Sequence, residues 1–163
     1  MTKSVLQFLK FILILYVLIL ILMSVPLREY ILGGLYSSSD SELITYIKYH
    51  TNIFPLSTML MYIEKIKQNT INTVYIIKII VGNITLFIPL GALLKMFFET
   101  KKVIVYSLCC AVTMEILQLV TRSGSFDIDI IILRFLGAMF GFAIVSLVLK
   151  LKRGAELRRI KFM

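Results

Sequence analysis

The chain has 163 residues and a net charge of +9; 59% of its residues are hydrophobic and only 17% are charged. A mean hydropathy of +0.92 is well above what a water-soluble domain can expose. The positive charge is not that of a nucleic-acid binder, because Lys and Arg cluster at the ends of apolar runs and in residues 150–161. The composition therefore predicts a single integral membrane domain over residues 1–163.

Four apolar runs are each long enough to cross a membrane, which takes about 20 helical residues. They cover residues 5–25, 74–98, 103–121 and 128–151. Backbone groups in lipid must find hydrogen bonds within their own segment, so each run is predicted to be a helix. The expected fold class is an all-α integral membrane protein with four transmembrane helices. A cleavable signal peptide is a poor interpretation of the first run, whose apolar core is long and lacks a small-residue cleavage site.

The distribution of Lys and Arg around the runs predicts the orientation. Lys and Arg are dense on one side of the predicted membrane domain. On the other side lies the loop of residues 26–72, in which acidic residues balance the few basic ones. The dense set comprises Lys3, Lys10, Lys95, Lys101, Lys102, Lys150, Lys152, Arg153, Arg158, Arg159 and Lys161. The positive-inside rule then places both termini in the cytoplasm of a bacterial cytoplasmic membrane and makes the loop extracytoplasmic.

The loop itself contains a predicted turn and a predicted amphipathic helix. The turn covers Gly33, Gly34 and residues 37–40. The helix is predicted from apolar residues at helical spacing, namely Leu56, Met59, Leu60, Ile63 and Ile66. Two placements stay open: this helix lies on the outer leaflet, or it packs over the mouth of the bundle.

The third run carries a polar stripe. Glu115, Gln118 and Arg122 stand at i, i+3 and i+7, so they are predicted to project from one helix face. Asn83 in the second run is expected at a depth comparable to that of Glu115, close enough to join the same cluster.

Charges of both signs are expected to meet near the outer face. Asp127 and Asp129 stand at the mouth of the fourth run, and Arg134 lies about a turn and a half deeper. A charge at the centre of a membrane helix costs roughly 2.5–3.5 kcal/mol on insertion scales, so pairing is expected. The predicted pairs are Glu115 with Arg134, and Arg122 with Asp127 or Asp129.

Two glycines, Gly137 and Gly141, stand four residues apart in the fourth run. This small-xxx-small spacing is typical of close helix packing in membranes. The interpretation favoured here is a packing contact and not chemistry.

Metal and cofactor binding are not indicated. His50 is the single histidine and falls in the predicted loop, where a solvated side chain is expected. Cys109 and Cys110 are adjacent and have no metal-ligand spacing. No metal site and no cofactor are predicted.

The polar stretches occur in a fixed order along the chain. They are residues 52–58 (Asn-Ile-Phe-Pro-Leu-Ser-Thr), 83–91 (Asn-Ile-Thr-Leu-Phe-Ile-Pro-Leu-Gly), 115–122 (Glu-Ile-Leu-Gln-Leu-Val-Thr-Arg) and 126–129 (Phe-Asp-Ile-Asp), followed by Gly137 and Gly141. This pattern resembles the VanZ-like family of small bacterial membrane proteins. The family's pattern would place Asp at position 130 and Asn at position 134, where this chain has Ile130 and Arg134. An Arg in place of an Asn adds a charge and changes the balance of donors and acceptors.

The resemblance implies a contribution to tolerance of glycopeptide antibiotics, teicoplanin more than vancomycin. The first hypothesis is a non-enzymatic protein whose outward-facing polar cluster binds a lipid-linked envelope component or the lipoglycopeptide itself. Besides these ligands, the expected partner is the lipid bilayer; the oligomeric state is left open. The candidate ligand-binding residues are Asn52, Asn83, Glu115, Gln118, Arg122, Asp127, Asp129 and Arg134.

Two other functions stay open. An intramembrane enzyme acting on an envelope lipid or peptide would use Glu115 as general base, but Ser123 and Ser125 have no histidine near them in the sequence and no catalytic residue is assigned. A structural subunit of a membrane complex would use buried charge pairs only to fix helix register.

Overall fold

The structure is a computed structural model that describes residues 2–24 and 40–161. Almost all of these residues are helical. In chain order the elements are α1 (Lys3–Ser24), α2 (Asp40–Tyr49), β1 (Thr51–Asn52), α3 (Ser57–Lys67), α4 (Thr73–Phe97), α5 (Thr100–Val120), β2 (Phe126–Asp127) and α6 (Ile128–Lys161).

Four of these helices, α1, α4, α5 and α6, are long and apolar enough to span a membrane. They coincide with the four predicted runs to within a few residues at most ends, which confirms the predicted all-α membrane fold. The exception is α6, predicted to end at residue 151, which continues as one helix of 34 residues to Lys161. At about 1.5 Å per residue it is considerably longer than a bilayer is thick.

The core lies between α4, α5 and α6, with α1 packed on its side. Its buried apolar side chains are Leu20, Phe87, Leu90, Leu94, Val103, Ala111, Met114, Ile131 and Ala138. Many apolar side chains of the four long helices point away from this core and are exposed on the surface of the bundle. This is the distribution expected of a bundle whose solvent is lipid.

Glycines bring α4 and α6 into backbone contact. A Cβ atom on Gly137 or Gly141 would overlap the carbonyl oxygen of Ile84 or Ile88, respectively. From the other helix, a Cβ atom on Gly91 would overlap the backbone of Ala138. The predicted packing role of Gly137 and Gly141 is confirmed, and the two parallel helices form the most closely packed pair of the bundle.

The first helix is attached by two polar contacts as well as by packing. The hydroxyl of Tyr16 donates to the carbonyl oxygen of Leu86 on α4, at 2.6 Å. At the end of α1, the carbonyl oxygen of Ser24 accepts a hydrogen bond of 3.1 Å from the hydroxyl of Ser123, which lies between α5 and α6. The end of α1, the end of α5 and the start of α6 therefore meet at one end of the bundle, here called the loop end.

The segment from α2 to α3 covers part of the loop end. Its strand β1 pairs in parallel with β2, with Thr51 opposite Phe126 and Asn52 opposite Asp127. The sequence did not predict α2 or this strand pairing. The predicted turn at residues 33–39 lies outside the described residues; its last position, Asp40, begins α2 instead.

Helix α3 lies where the sequence predicts an amphipathic helix, but its apolar side chains are not all covered. Met59 and Ile66 are half-buried, whereas Leu60 and Ile63 are 63% and 50% exposed. The helix therefore packs on the bundle with one side, which also carries the buried Thr58, and leaves a second apolar side uncovered.

Candidate functional site

A connected set of polar side chains lies inside the loop end and is here called the polar network. Its members are Asn52, Thr58, Asn83, Glu115, Asp127, Asp129 and Arg134. They come from β1, α3, α4, α5, β2 and α6, so the network joins three membrane helices to the α2–α3 segment.

The deepest part of the network is an ion pair. Nη1 of Arg134 lies 2.6 Å from Oε1 of Glu115, and the two side chains are 5% and 1% exposed. The attraction of opposite charges is the main contribution at this distance. Nε of Arg134 donates to Oδ1 of Asn83 at 2.9 Å. The predicted Glu115 and Arg134 pair is confirmed, as is the proximity of Asn83.

Glu115 also fixes the start of the last helix. Its second oxygen, Oε2, accepts a hydrogen bond of 2.9 Å from the backbone N–H of Asp127. The Asp127 side chain accepts from the hydroxyl of Thr58 at 2.6 Å, from the amide of Asn52 at 3.3 Å and from the N–H of Asp129 at 2.9 Å. The last of these bonds is an N-cap contact, in which a carboxylate satisfies a free N–H in the first turn of α6.

Asp129 holds the beginning of α3. Its carboxylate accepts hydrogen bonds from the N–H groups of Leu56, Thr58 and Met59, at 2.6, 2.9 and 3.3 Å. These N–H groups belong to the first turn of α3 and the residue before it, where no preceding turn can accept from them. A carboxylate at a helix N-terminus is also favoured by the helix dipole. Asp129 on α6 is thus the residue that docks α3 onto the bundle.

The environment of Tyr62 on α3 agrees with this docking. Partial burial, and then the charge of Asp127, raise the pKa of the Tyr62 phenol above its ordinary value. Tyr62 therefore keeps its proton throughout the physiological range.

Six of the eight sequence-predicted site residues belong to the polar network. The two that do not are Gln118 and Arg122. Gln118 is half-buried beside Gly124, and its backbone carbonyl, not its side chain, accepts the hydrogen bonds in this region. The predicted pairing of Arg122 with Asp127 or Asp129 is wrong, because both carboxylates are taken up by the partners described above and the only ion pair between described side chains is that of Glu115 with Arg134.

Arg122 leaves the predicted stripe because α5 ends at Val120, before reaching it. The N–H of Ser123 donates to the carbonyl of Gln118, and the N–H of Arg122 donates to that of Leu119, which is the Schellman closure of a helix. Arg122 occupies the left-handed position of this closure, with φ of 56°. Its guanidinium lies over the ring of Tyr46, 5.9 Å from the ring centroid.

Sequence reasoning missed Thr58 and Tyr46. Thr58 stands inside the stretch 52–58 that carried the family resemblance, so its position relative to Asn52 was an available signal. Tyr46 gave no comparable signal, because α2 was not predicted and because Tyr46 contacts a residue far away in the chain, Gly124.

Asp129→Asn is expected to loosen α3 without unfolding the bundle. Hydrogen bonds from N–H groups to a charged acceptor are worth about 1.5–3 kcal/mol, and an amide can offer only one oxygen to the three donors that the carboxylate now serves. Hydrogen exchange should rise in residues 44–67 and stay unchanged in α4 to α6. Glu64→Gln on the exposed side of α3 is the control, for which no change is expected. Unchanged protection of α3 in Asp129→Asn would contradict the docking role.

The fold and the network together define a multi-pass membrane protein with a buried polar core at one end of its bundle. A model of the VanZ/LLP1 family matches residues 8–149, and the chain belongs to this family. No curated protein and no solved structure was matched. Within residues 2–24 and 40–161, no group of three or more His, Cys, Asp or Glu side chains is arranged to hold a metal ion.

Proposed function

We propose that this protein contributes to tolerance of glycopeptide antibiotics, teicoplanin above all, by binding a lipid-linked envelope component or the drug itself at the loop end. In this proposal the loop end faces outward from the bacterial cytoplasmic membrane and both termini are cytoplasmic. The density of Lys and Arg at the opposite end of the bundle supports that orientation.

The observation that carries the proposal is the amphiphilic character of the loop end. Apolar side chains that are at least half exposed stand beside polar and cationic groups. The exposed apolar side chains are Ile53, Phe54, Leu56, Leu60 and Ile63. A ligand with a lipid chain and a polar head requires this combination, and a large uncovered apolar area at the membrane boundary is typical of an interaction site.

The network residues have a positioning role in this proposal. Glu115, Asp127 and Asp129 are all buried, and each accepts at least one hydrogen bond from a protein donor. They hold the α2–α3 segment in place, and the exposed residues of that segment and of the 121–126 turn contact the ligand. Glu115 and the other network residues therefore act on binding through the shape of the loop end.

Drug susceptibility in a susceptible Gram-positive host tests this proposal. The host expresses the protein, its Glu115→Ala variant or its Gln118→Ala variant at matched membrane levels. A selective rise in teicoplanin tolerance over vancomycin tolerance is expected for the protein and for Gln118→Ala, and its loss for Glu115→Ala. If the unaltered protein changes neither susceptibility, the proposed role in tolerance is excluded.

A structural role in a membrane complex is the second candidate. It is favoured because the carboxylates of the polar network already have partners within the protein. Asp127 and Asp129 have protein partners for both carboxylate oxygens, as a group that only fixes helix register would. Purification in mild detergent with a stoichiometric partner protein would favour this candidate over ligand binding.

A further inference from the structure

The backbone at Arg122 is unfavourable for an arginine. A φ of 56° is left-handed, and this position of a Schellman closure is usually occupied by glycine. A residue with a Cβ costs roughly 1–2 kcal/mol there. The turn closes through backbone groups alone, so the guanidinium is not needed to form it. A strained residue that the local fold does not require points to a function of its side chain.

The guanidinium is held on a fixed aromatic surface. The Tyr46 ring beneath it is stacked on the ring of His50, with centroids 3.8 Å apart and planes 10° from parallel. The Tyr46 hydroxyl donates to the carbonyl oxygen of Gly124 at 2.9 Å, and the N–H of Phe126 donates to that of His50, also at 2.9 Å. The arrangement of Arg122, Tyr46 and His50 is here called the Arg122 platform.

None of the guanidinium N–H donors of Arg122 makes a hydrogen bond to a described residue, whereas Nε of Arg134 donates to Asn83. The side chain is half-exposed, so these donors are accessible. A guanidinium presents a planar fork that matches the oxygens of a phosphate.

The carboxylates of the polar network do not neutralise Arg122. Glu115, Asp127 and Asp129 are buried and are bonded to other partners. The charge of Arg122 is therefore available to an anion.

The depth of the platform favours an anion carried by a lipid. Val120, two residues before Arg122 on α5, is 55% exposed on the lipid-facing surface of a membrane helix. Phe54, which follows β1, is 72% exposed. Arg122 follows two residues after the end of a helix that is long and apolar enough to span a membrane, and the end of such a helix lies at the level of the lipid head groups.

We propose that the Arg122 platform binds the phosphate of a lipid-borne phosphate ester, with Arg122 contacting the phosphate oxygens and the lipid chain lying along the exposed apolar surface beside Val120. This inference rests on the proposed function and specifies its ligand. The network residues position the loop end, whereas Arg122 touches the ligand.

The test measures binding of farnesyl phosphate to the purified protein in detergent micelles, beside farnesol and inorganic phosphate. Arg122→Gly and Arg122→Asn remove the guanidinium and suit the left-handed backbone, so both should be as heat-stable as the unaltered protein or more so. Farnesyl phosphate should bind these variants about tenfold or more weakly, as expected from the loss of charge-assisted hydrogen bonds. Lys48→Gln removes one exposed charge from α2 and should leave binding unchanged.

The other outcomes each overturn a part of the inference. Equal affinity of Arg122→Gly and the unaltered protein for farnesyl phosphate would exclude Arg122 as the contact. Equal affinity for farnesol would exclude the phosphate, and inorganic phosphate binding as tightly as farnesyl phosphate would exclude the lipid. Teicoplanin tolerance that persists with Arg122→Gly, together with unaltered binding, would refute this inference alone. Absence of tolerance with the unaltered protein would refute the proposed function alone.

Discussion

Glu115→Gln is expected to lower the free energy of unfolding by about 3–5 kcal/mol, the usual cost of breaking a buried ion pair from one side. The reason is the burial of Arg134, which is 4% exposed and, among the described side chains, has its countercharge only in Glu115. The neutral side chain would also bind the N–H of Asp127 less strongly. Equilibrium unfolding in mixed micelles, followed by the circular dichroism of the helices, measures the change.

Two further variants make this result specific. Gln118→Ala lies one turn along the same helix, outside the polar network, and should change the unfolding free energy by no more than about 0.5 kcal/mol. The double variant Glu115→Gln, Arg134→Gln should recover part of the loss, because it no longer leaves a charge unpaired. A Glu115→Gln variant as stable as Gln118→Ala would show that the pair does not hold the loop end together.

Gly141→Ala is expected to disrupt the pairing of α4 with α6. The added Cβ atom would overlap the carbonyl oxygen of Ile88, a backbone atom that cannot rotate away. Overpacking of this kind costs about 1–3 kcal/mol or more. It would also separate Asn83 from Arg134, which join the same two helices nearer the loop end. Thermal unfolding and the monodispersity of the purified protein measure the effect.

Gly82→Ala is the matched control for this substitution. Gly82 lies on α4 as well, but a Cβ atom there would meet nothing within 4 Å. Its replacement should be neutral, or stabilising by up to about 1 kcal/mol through helix propensity. Equal stability of Gly141→Ala and Gly82→Ala would contradict the close packing of the two helices.

The four membrane helices could be predicted because length and apolarity determine them, and neither depends on tertiary contacts. The Glu115 and Arg134 pair could be predicted for a related reason: charges inside a membrane segment must find partners, and few were available. Helix α2 could not be predicted, since its polar sequence lacks a sustained apolar period and is stabilised by contacts such as that of Tyr46 with Gly124.

The position of Arg122 shows where helical periodicity fails. A stripe at i, i+3 and i+7 holds only while the helix continues, and α5 ends two residues before Arg122. The sequence has no glycine at the closing position to mark that end. The role of Asp129 was equally inaccessible, because it caps a helix about 70 residues earlier in the chain and depends on how that helix docks.

The resemblance to the family leads to an expectation of Asn at position 134, where this chain has Arg134. An Asn there would remove the one positive partner that Glu115 has among the described residues. In this chain Arg134 supplies the charge and Asn83 accepts from it. The other departure, Ile130, is half-buried beside the network and adds no polar group to it.

The uninterrupted length of α6 determines where the charges of the tail can act. Its 34 residues extend roughly 51 Å, of which the hydrocarbon of a bilayer accommodates about 30 Å. Lys150 and Lys152 therefore lie where α6 leaves the hydrocarbon, in the layer of lipid head groups, and an anionic leaflet would favour that placement by about 1 kcal/mol for each basic residue.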